Sequence, residues 1–193
     1  MLLRWFKWLR RNRLPAAYRP GVTLLRLRQD LSVDCQLIGQ STLACVMSDG
    51  LAFSVREHTE SLFLSHIVSC EFCMPVPLMP DVIKTGRIVI RHTGNLRRLG
   101  TVCLVVGRDD GSLAAIARQL QHDKALQAAL LPLDFRRCEL RYEDEGWQFC
   151  IEHFGASEVV SRMPPLRRYI RLITEQRQVL LQSLRACHAL FIK

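Results

Sequence analysis

With 193 residues, 49 % of them apolar and 23 % charged, the chain can bury a core of its own, which excludes an intrinsically disordered protein. Its net charge of +9 suggests nucleic acid only until it is located: residues 1–28 carry eight basic side chains and no acid, whereas residues 29–193 hold 19 Lys/Arg against 18 Asp/Glu. No stretch approaches the ~18 consecutive apolar residues of a membrane-spanning helix.

The chain opens MLLRWFKWLRRNR, with two of the three tryptophans and five basic residues. On a helix Leu2, Trp5, Phe6 and Leu9 fall at i, i+3, i+4 and i+7 with Trp8 on the flank, and Arg4, Lys7 and Arg11 take the other side until Pro15. A secretory signal would place its apolar run after the basic residues, and a transit peptide would contain serine. Residues 1–14 therefore read as a basic amphipathic helix, 15–21 as a linker and 22–193 as a single α+β domain. Such a helix has three destinations. In a membrane interface Trp5, Phe6, Trp8 and Leu9 enter the acyl boundary while Arg4, Lys7, Arg10 and Arg11 meet anionic headgroups. Alternatively the aromatic face docks on the domain's own core, or residues 2–13 fill a protein groove.

From VTLLRLRQDLSVDCQLIG onward the pattern turns to strands. TLACVM and LAFSVRE form a hairpin around Ser48–Asp49–Gly50, HIVSCEFCM is a further strand, and RIVIRH with LGTVCLVV forms a second hairpin. After GRDDGS a helix buries Leu113, Ile116, Ala117 and Leu120, and a short helix follows over 125–130. FRRCELRY and WQFCIEHF make a third hairpin, which SEVVSR and LRRYIRL extend. Thr174 caps a last helix with Leu180, Leu184, Cys187 and Phe191 on its apolar face. The fold class is α+β: an antiparallel sheet of hairpins, an internal helix, a C-terminal helix and the amphipathic N-terminal one. CVMSDGLAFSVREH and CELRYEDEGWQFCIEH share enough pattern to suggest a weak internal duplication.

The eight cysteines lie mostly inside apolar runs, as small hydrophobes do, which points to a reduced, cytoplasmic setting. His66, Cys70 and Cys73 have H-x3-C-x2-C spacing, but no second pair completes a zinc site, and on a strand the two thiols point to opposite faces. Glu71 between the thiols and the prolines that follow also speak against a thioredoxin-type pair. No metal and no cofactor is expected. Asp109 and Asp110 would repel a phosphate, so they read as favourable charges at a helix N-terminus, with Ser112 as cap. Arg91, Arg98, Arg167 and Arg171 are the candidate anion-binding residues of the domain body, weighed against a solvated basic face. Aromatic platforms are missing beside them, which makes nucleic acid a poor partner. Glu152, His153 and Ser157 form a tempting trio that fails on a strand, where Glu152 and His153 face opposite ways. No G-x-S-x-G or HExxH occurs, so no catalytic residue is assigned.

The run EHFGASEVVSRMPPLRRYIRL, within LPLDFRRCEL…TEQRQVLL, resembles a group of uncharacterised proteobacterial proteins classed as a domain of unknown function. The resemblance covers most of the chain after the N-terminal segment. It implies a bacterial, cytoplasmic protein and carries over no catalytic residue. The leading expectation is thus a non-enzymatic accessory protein, peripherally attached to the inner face of an anionic membrane. The alternatives are an anion or small-ligand binding domain, enzymatic or not, using the arginine cluster, and non-specific nucleic-acid binding through the basic arm. The sequence carries no signal for oligomeric state.

Overall fold

The computed structural model describes residues 18–77, 82, 84–94, 97–144, 146–162 and 165–192. The segment expected to form the amphipathic helix, residues 1–14, lies outside them. Among the described residues the chain is α+β, with ten strands in one antiparallel sheet and four helices. In chain order the elements are α1 (Val22–Leu31), β1 (Asp34–Ile38), β2 (Thr42–Val46), β3 (Ala52–Ser61), β4 (Ser65–Val76), β5 (Arg87–Thr93) and β6 (Gly100–Val106). There follow α2 (Ser112–His122), α3 (Lys124–Leu130), β7 (Phe135–Glu143), β8 (Gly146–His153), β9 (Ser157–Arg162), β10 (Pro165–Ile170) and α4 (Thr174–Phe191).

The strand order is β1-β2-β3-β4-β8-β7-β5-β6. The long strand β4 organises it. One edge of β4 pairs with β3, while the other pairs first with β9, over 65–68, and then with β8, over 71–76. Strand β10 closes on β9. The three expected hairpins are present as β2–β3, β5–β6 and β7–β8, and the two echoing segments are the first and third of these, separated in the sheet by β4.

Strand alternation sorts the sheet into two unlike faces. Phe53, Val55, Phe72, Met74, Phe149, Ile151, Cys138, Leu140, Ile88 and Ile90 point toward the helices and form the core with Leu113, Leu120, Leu180 and Leu184. Their neighbours in sequence, including His58, Glu71, Cys73, Cys150, Glu152, Glu139 and Arg141, occupy the opposite face. One face is thus oil-like and helix-covered, and the other is ionic.

Residues 22–31 correct the expectation of a strand: they form helix α1. The alternating Leu and Arg of LLRLR imitate a period of two, but Leu24, Leu27 and Leu31 share one helical face and are fully buried. The first turn contains no acid, and Gly21 at the cap position gives no side-chain bond. The missing carboxylate comes from β3: Glu57 accepts hydrogen bonds from the Gly21 and Leu24 backbone N–H groups at 2.9 and 3.1 Å, and from the Tyr18 hydroxyl at 2.5 Å. Gly21 has φ +80°, and a Cβ there would sit 2.7 Å from the Gln40 carbonyl oxygen. A second correction concerns the caps. Asp109 accepts from the N–H groups of Leu113 and Ala114 at 2.9 and 3.1 Å, and Asp110 from that of Ser112, so the two acids cap α2 and Ser112 is its first residue. Likewise Thr174 begins α4, with Ile173 at the cap. The third concerns the thiols: Cys35 and Cys45, expected to be reduced, are joined by a disulfide between β1 and β2.

Candidate functional site

Strands β3 and β4 are joined by Leu62, Phe63 and Leu64, where the N–H of Leu62 bonds the carbonyl of Ser65 at 2.8 Å. Scattered exposed hydrophobes are ordinary, but three in succession at a turn are not. Phe63 is 94 % exposed, and Leu62 and Leu64 are each half exposed. Strand β9 lies beside this end of β4, pairing Ser161 with Ser65 and Val159 with Ile67; β10 then sets Leu166 opposite Ser161, Arg168 opposite Val159 and Ile170 opposite Ser157. Cross-strand partners share a face, so Leu166, Arg168 and Ile170 continue the surface that begins at the hairpin tip. All three are exposed.

The same surface runs into a cleft of about 350 Å³, opened where the chain leaves β8 at Phe154–Gly155–Ala156 before starting β9. Its size is within the range of small-molecule sites. Ile67, Phe154, Val159, Ile170 and Ile173 make its apolar wall, and Asp134, Arg136, His153, Arg171 and Gln176 its polar end. The imidazole of His153 is held on both nitrogens. The Gly155 N–H donates to Nδ1 at 2.8 Å, which leaves the proton on Nε2 to be donated to Gln176 Oε1 at 3.0 Å. Burial lowers the pKa of His153, and the bond that Nδ1 accepts from Gly155 is one that only an unprotonated nitrogen makes, so the ring is neutral. Gln176 Oε1 also accepts from the Asp134 N–H at 2.8 Å, tying the first turn of α4 to the start of β7.

The four arginines picked from sequence are not gathered into one pocket. Only Arg171 of the four lines the cleft, and its Nε donates to Asp30 Oδ1 at 2.6 Å. Arg98 is not among the lining residues but is bonded to one of them, Asp134, and to the Leu133 carbonyl. Arg167 pairs with Glu158 at 3.5 Å. Arg91 lies in a second notch where β5 and β7 diverge, beside Arg137 and sharing only Arg136 with the cleft. His66, Cys70 and Cys73 are not brought together either, because alternation along β4 turns Cys73 away from the other two. Glu152 and His153 face opposite sides, as the strand reading required.

On the ionic face lies a cluster that sequence reasoning missed. Glu71, 2 % exposed, accepts two hydrogen bonds from Arg141 at 2.7 Å each and faces His58 Nε2 at 2.9 Å. Burial opposes its ionisation, but the bonds from Arg141 and His58 outweigh that cost and hold the carboxyl well below the usual carboxylate range. Next to it the Cys150 thiol donates to Cys73 Sγ at 2.7 Å, and the Cys73 thiol to Glu71 Oε2 at 3.5 Å. The bond with Cys150, together with burial, pushes the Cys73 thiol up. Ligand atoms of Glu71, Cys73 and Cys150 lie within 4.8 Å of one another, as a metal site requires. Arg141, however, occupies both oxygens of Glu71 with a positive charge of its own, which opposes a divalent cation there. No motif announces this cluster, since it is assembled from β3, β4, β7 and β8. The tip did leave a signal, an apolar triplet flanked by serines in SLFLS.

A family model described as a protein of unknown function, DUF3156, matches residues 29–191. The chain belongs to the DUF3156 family. The match takes in the whole sheet and α2 to α4, and begins after the acid-free basic stretch of residues 1–28. No curated protein and no solved structure matches the chain.

Proposed function

We propose that this DUF3156 protein attaches peripherally to an anionic membrane surface, using residues 1–14 as an amphipathic helix and the β3–β4 tip as a second insertion element. The exposed Leu62–Phe63–Leu64 triplet carries the reading. It is continuous with exposed Leu166, Ile170 and the mouth of the cleft, with Arg168 among them to meet headgroups. Tyr18, the first described residue, is fastened to Glu57 on the strand that ends in the tip, four residues or about 13 Å before Ser61. The described chain thus begins against the strand that ends in the tip. Trp5, Phe6, Trp8 and Leu9 would insert while Arg4, Lys7, Arg10 and Arg11 face the lipid charge. Each basic residue near an anionic surface contributes about 1 kcal/mol. Each deeply inserted large apolar side chain adds at most about 1.5–3 kcal/mol. No helix among the described residues is long and apolar enough to cross a membrane.

The test is flotation with phosphatidylserine-containing and neutral vesicles, comparing the full chain, a chain lacking residues 1–14, and a Leu62→Ser/Phe63→Ser/Leu64→Ser variant. The full chain should float with the anionic vesicles and each altered form should lose most of that binding. Equal flotation of all three overturns the reading, as does binding by none. The cleft favours a second reading, retention of a small amphiphile; Val159→Trp, which fills the apolar wall, should abolish any lipid that organic extraction recovers from the purified protein.

A further inference from the structure

Six cysteines are unbridged, and five of them are buried. Cys70, Cys138 and Cys187 belong to the apolar core. Cys73 and Cys150 differ from these in three ways. They are direct cross-strand partners in the β4–β8 ladder, their sulfurs are in contact at 2.7 Å, and they lie on the ionic face beside Glu71 and Arg141. Paired antiparallel positions bring Cβ atoms within ~4.5–5.5 Å of each other, close to what a disulfide spans. The same sheet already carries one cross-strand disulfide at an in-register pair, Cys35 with Cys45.

We propose that Cys73 and Cys150 are a redox-active dithiol, a modification site that two-electron oxidants of the peroxide class convert to a disulfide joining β4 to β8. The chemistry closes with hydrogen peroxide alone. One thiol, having lost its proton, attacks a peroxide oxygen; the O–O bond breaks, a sulfenic acid forms, and hydroxide takes up the released proton as water. The second sulfur then attacks the sulfenic sulfur. The S–O bond breaks, the S–S bond forms, and the oxygen leaves as a second water, carrying the second thiol proton. Two thiols and one peroxide give one disulfide and two waters, with two electrons passed from sulfur to oxygen. One feature favours this outcome over a dead-end oxidised thiol: the partner sulfur is already in contact, so no strand has to move. Both cysteines are buried, so a water-sized oxidant reaches the site more readily than a bulky one. Arg141 offsets only part of the contact with Cys150, the burial and the Glu71 charge that hold the proton on Cys73, so oxidation starts from a minor thiolate fraction and is slow. This proposal is independent of membrane attachment.

The experiment treats the folded full-length chain, reduced and then freed of reductant, with hydrogen peroxide. The sample is quenched in acid and alkylated under denaturing conditions, then digested with trypsin and a glutamyl protease that cuts at Glu71, between Cys70 and Cys73. The expected product is a Cys73 peptide linked to a Cys150 peptide with the loss of two hydrogens, while Cys70, Cys138 and Cys187 stay alkylated. The link should persist in Cys70→Ser and vanish in Cys73→Ser. Cys73 and Cys150 remaining fully alkylated while Cys35–Cys45 closes would overturn the proposal. Three other results would do the same: linkage of Cys150 to Cys70 or Cys138, sulfinic acid on Cys73 without linkage, or one zinc per reduced chain that is lost in Cys73→Ser.

Discussion

Replacing Arg141 by methionine asks whether the buried carboxylate depends on its guanidinium. Glu71 is 2 % exposed and takes both of its strong bonds from Arg141; its other cationic-type partner, His58, is itself half exposed, and the Cys73 thiol adds only a weak donor at 3.5 Å. Losing one member of a buried ion pair typically costs about 3–5 kcal/mol, because a desolvated charge is left behind. The surviving His58 contact places Arg141→Met near the lower limit, at ~3 kcal/mol. Glu71→Gln should cost less, about 1–2 kcal/mol, since the amide keeps an acceptor oxygen and Arg141 keeps Glu143 at 2.8 Å. The double variant Glu71→Leu/Arg141→Met removes both charges and should fall close to wild type. The pH dependence provides a second handle. Glu71 is held well below its usual value of 4.5, so its contribution is complete above that value and declines as pH falls toward the folded-state value. In Arg141→Met the carboxyl loses that depression and accepts a proton when folded. The cost of the substitution should therefore be largest near about pH 7 and shrink toward about pH 4. Urea melts at the two pH values, compared at constant slope, measure it. Equal costs for the two single variants, a double variant worse than either, or a cost that ignores pH would refute the reasoning.

Phe63→Ala should lower partitioning onto anionic vesicles by about tenfold, the loss of ~1.4 kcal/mol, while leaving the melting temperature unchanged because the ring is 94 % exposed; a fall in melting temperature would show that the tip is structural. Burial lowers the pKa of His153, so the unfolded chain binds a proton that the fold refuses, and stability should decline as pH drops below about 6.5; His153→Gln should flatten that slope in thermal melts, leaving the contribution of His92, which has the same sign. Gly86→Ala should cost about 1–3 kcal/mol by chemical denaturation, because a Cβ there would lie 2.5 Å from both the Arg108 carbonyl oxygen and Leu113 Cδ1.

The hairpins and the later helices were legible because each is encoded within a few residues. TLACVM and LAFSVRE alternate with the period of a half-buried strand, and Leu113, Ile116, Ala117 and Leu120 recur with that of a helix. Helix α1 was not legible, because its leucines and arginines satisfy both periods and its capping carboxylate, Glu57, lies 36 residues beyond Gly21. The cleft escaped for a related reason: Ile67, Phe154, Ile170 and Gln176 converge only after β9 has been laid against β4.

Local pattern along the chain determined the fold class, the three hairpins, the crowding of positive charge before residue 29 and the apolar triplet between β3 and β4. Hydrophobic periodicity and turn chemistry act over a handful of neighbours, and one sequence carries them whole. Strand pairing decided the rest. It set which thiols touch, which arginine neutralises Glu71 and which apolar side chains remain uncovered, since β4 meets β8 and β9 across more than seventy residues of chain. Contacts at that separation follow from register and packing, and no local pattern records them.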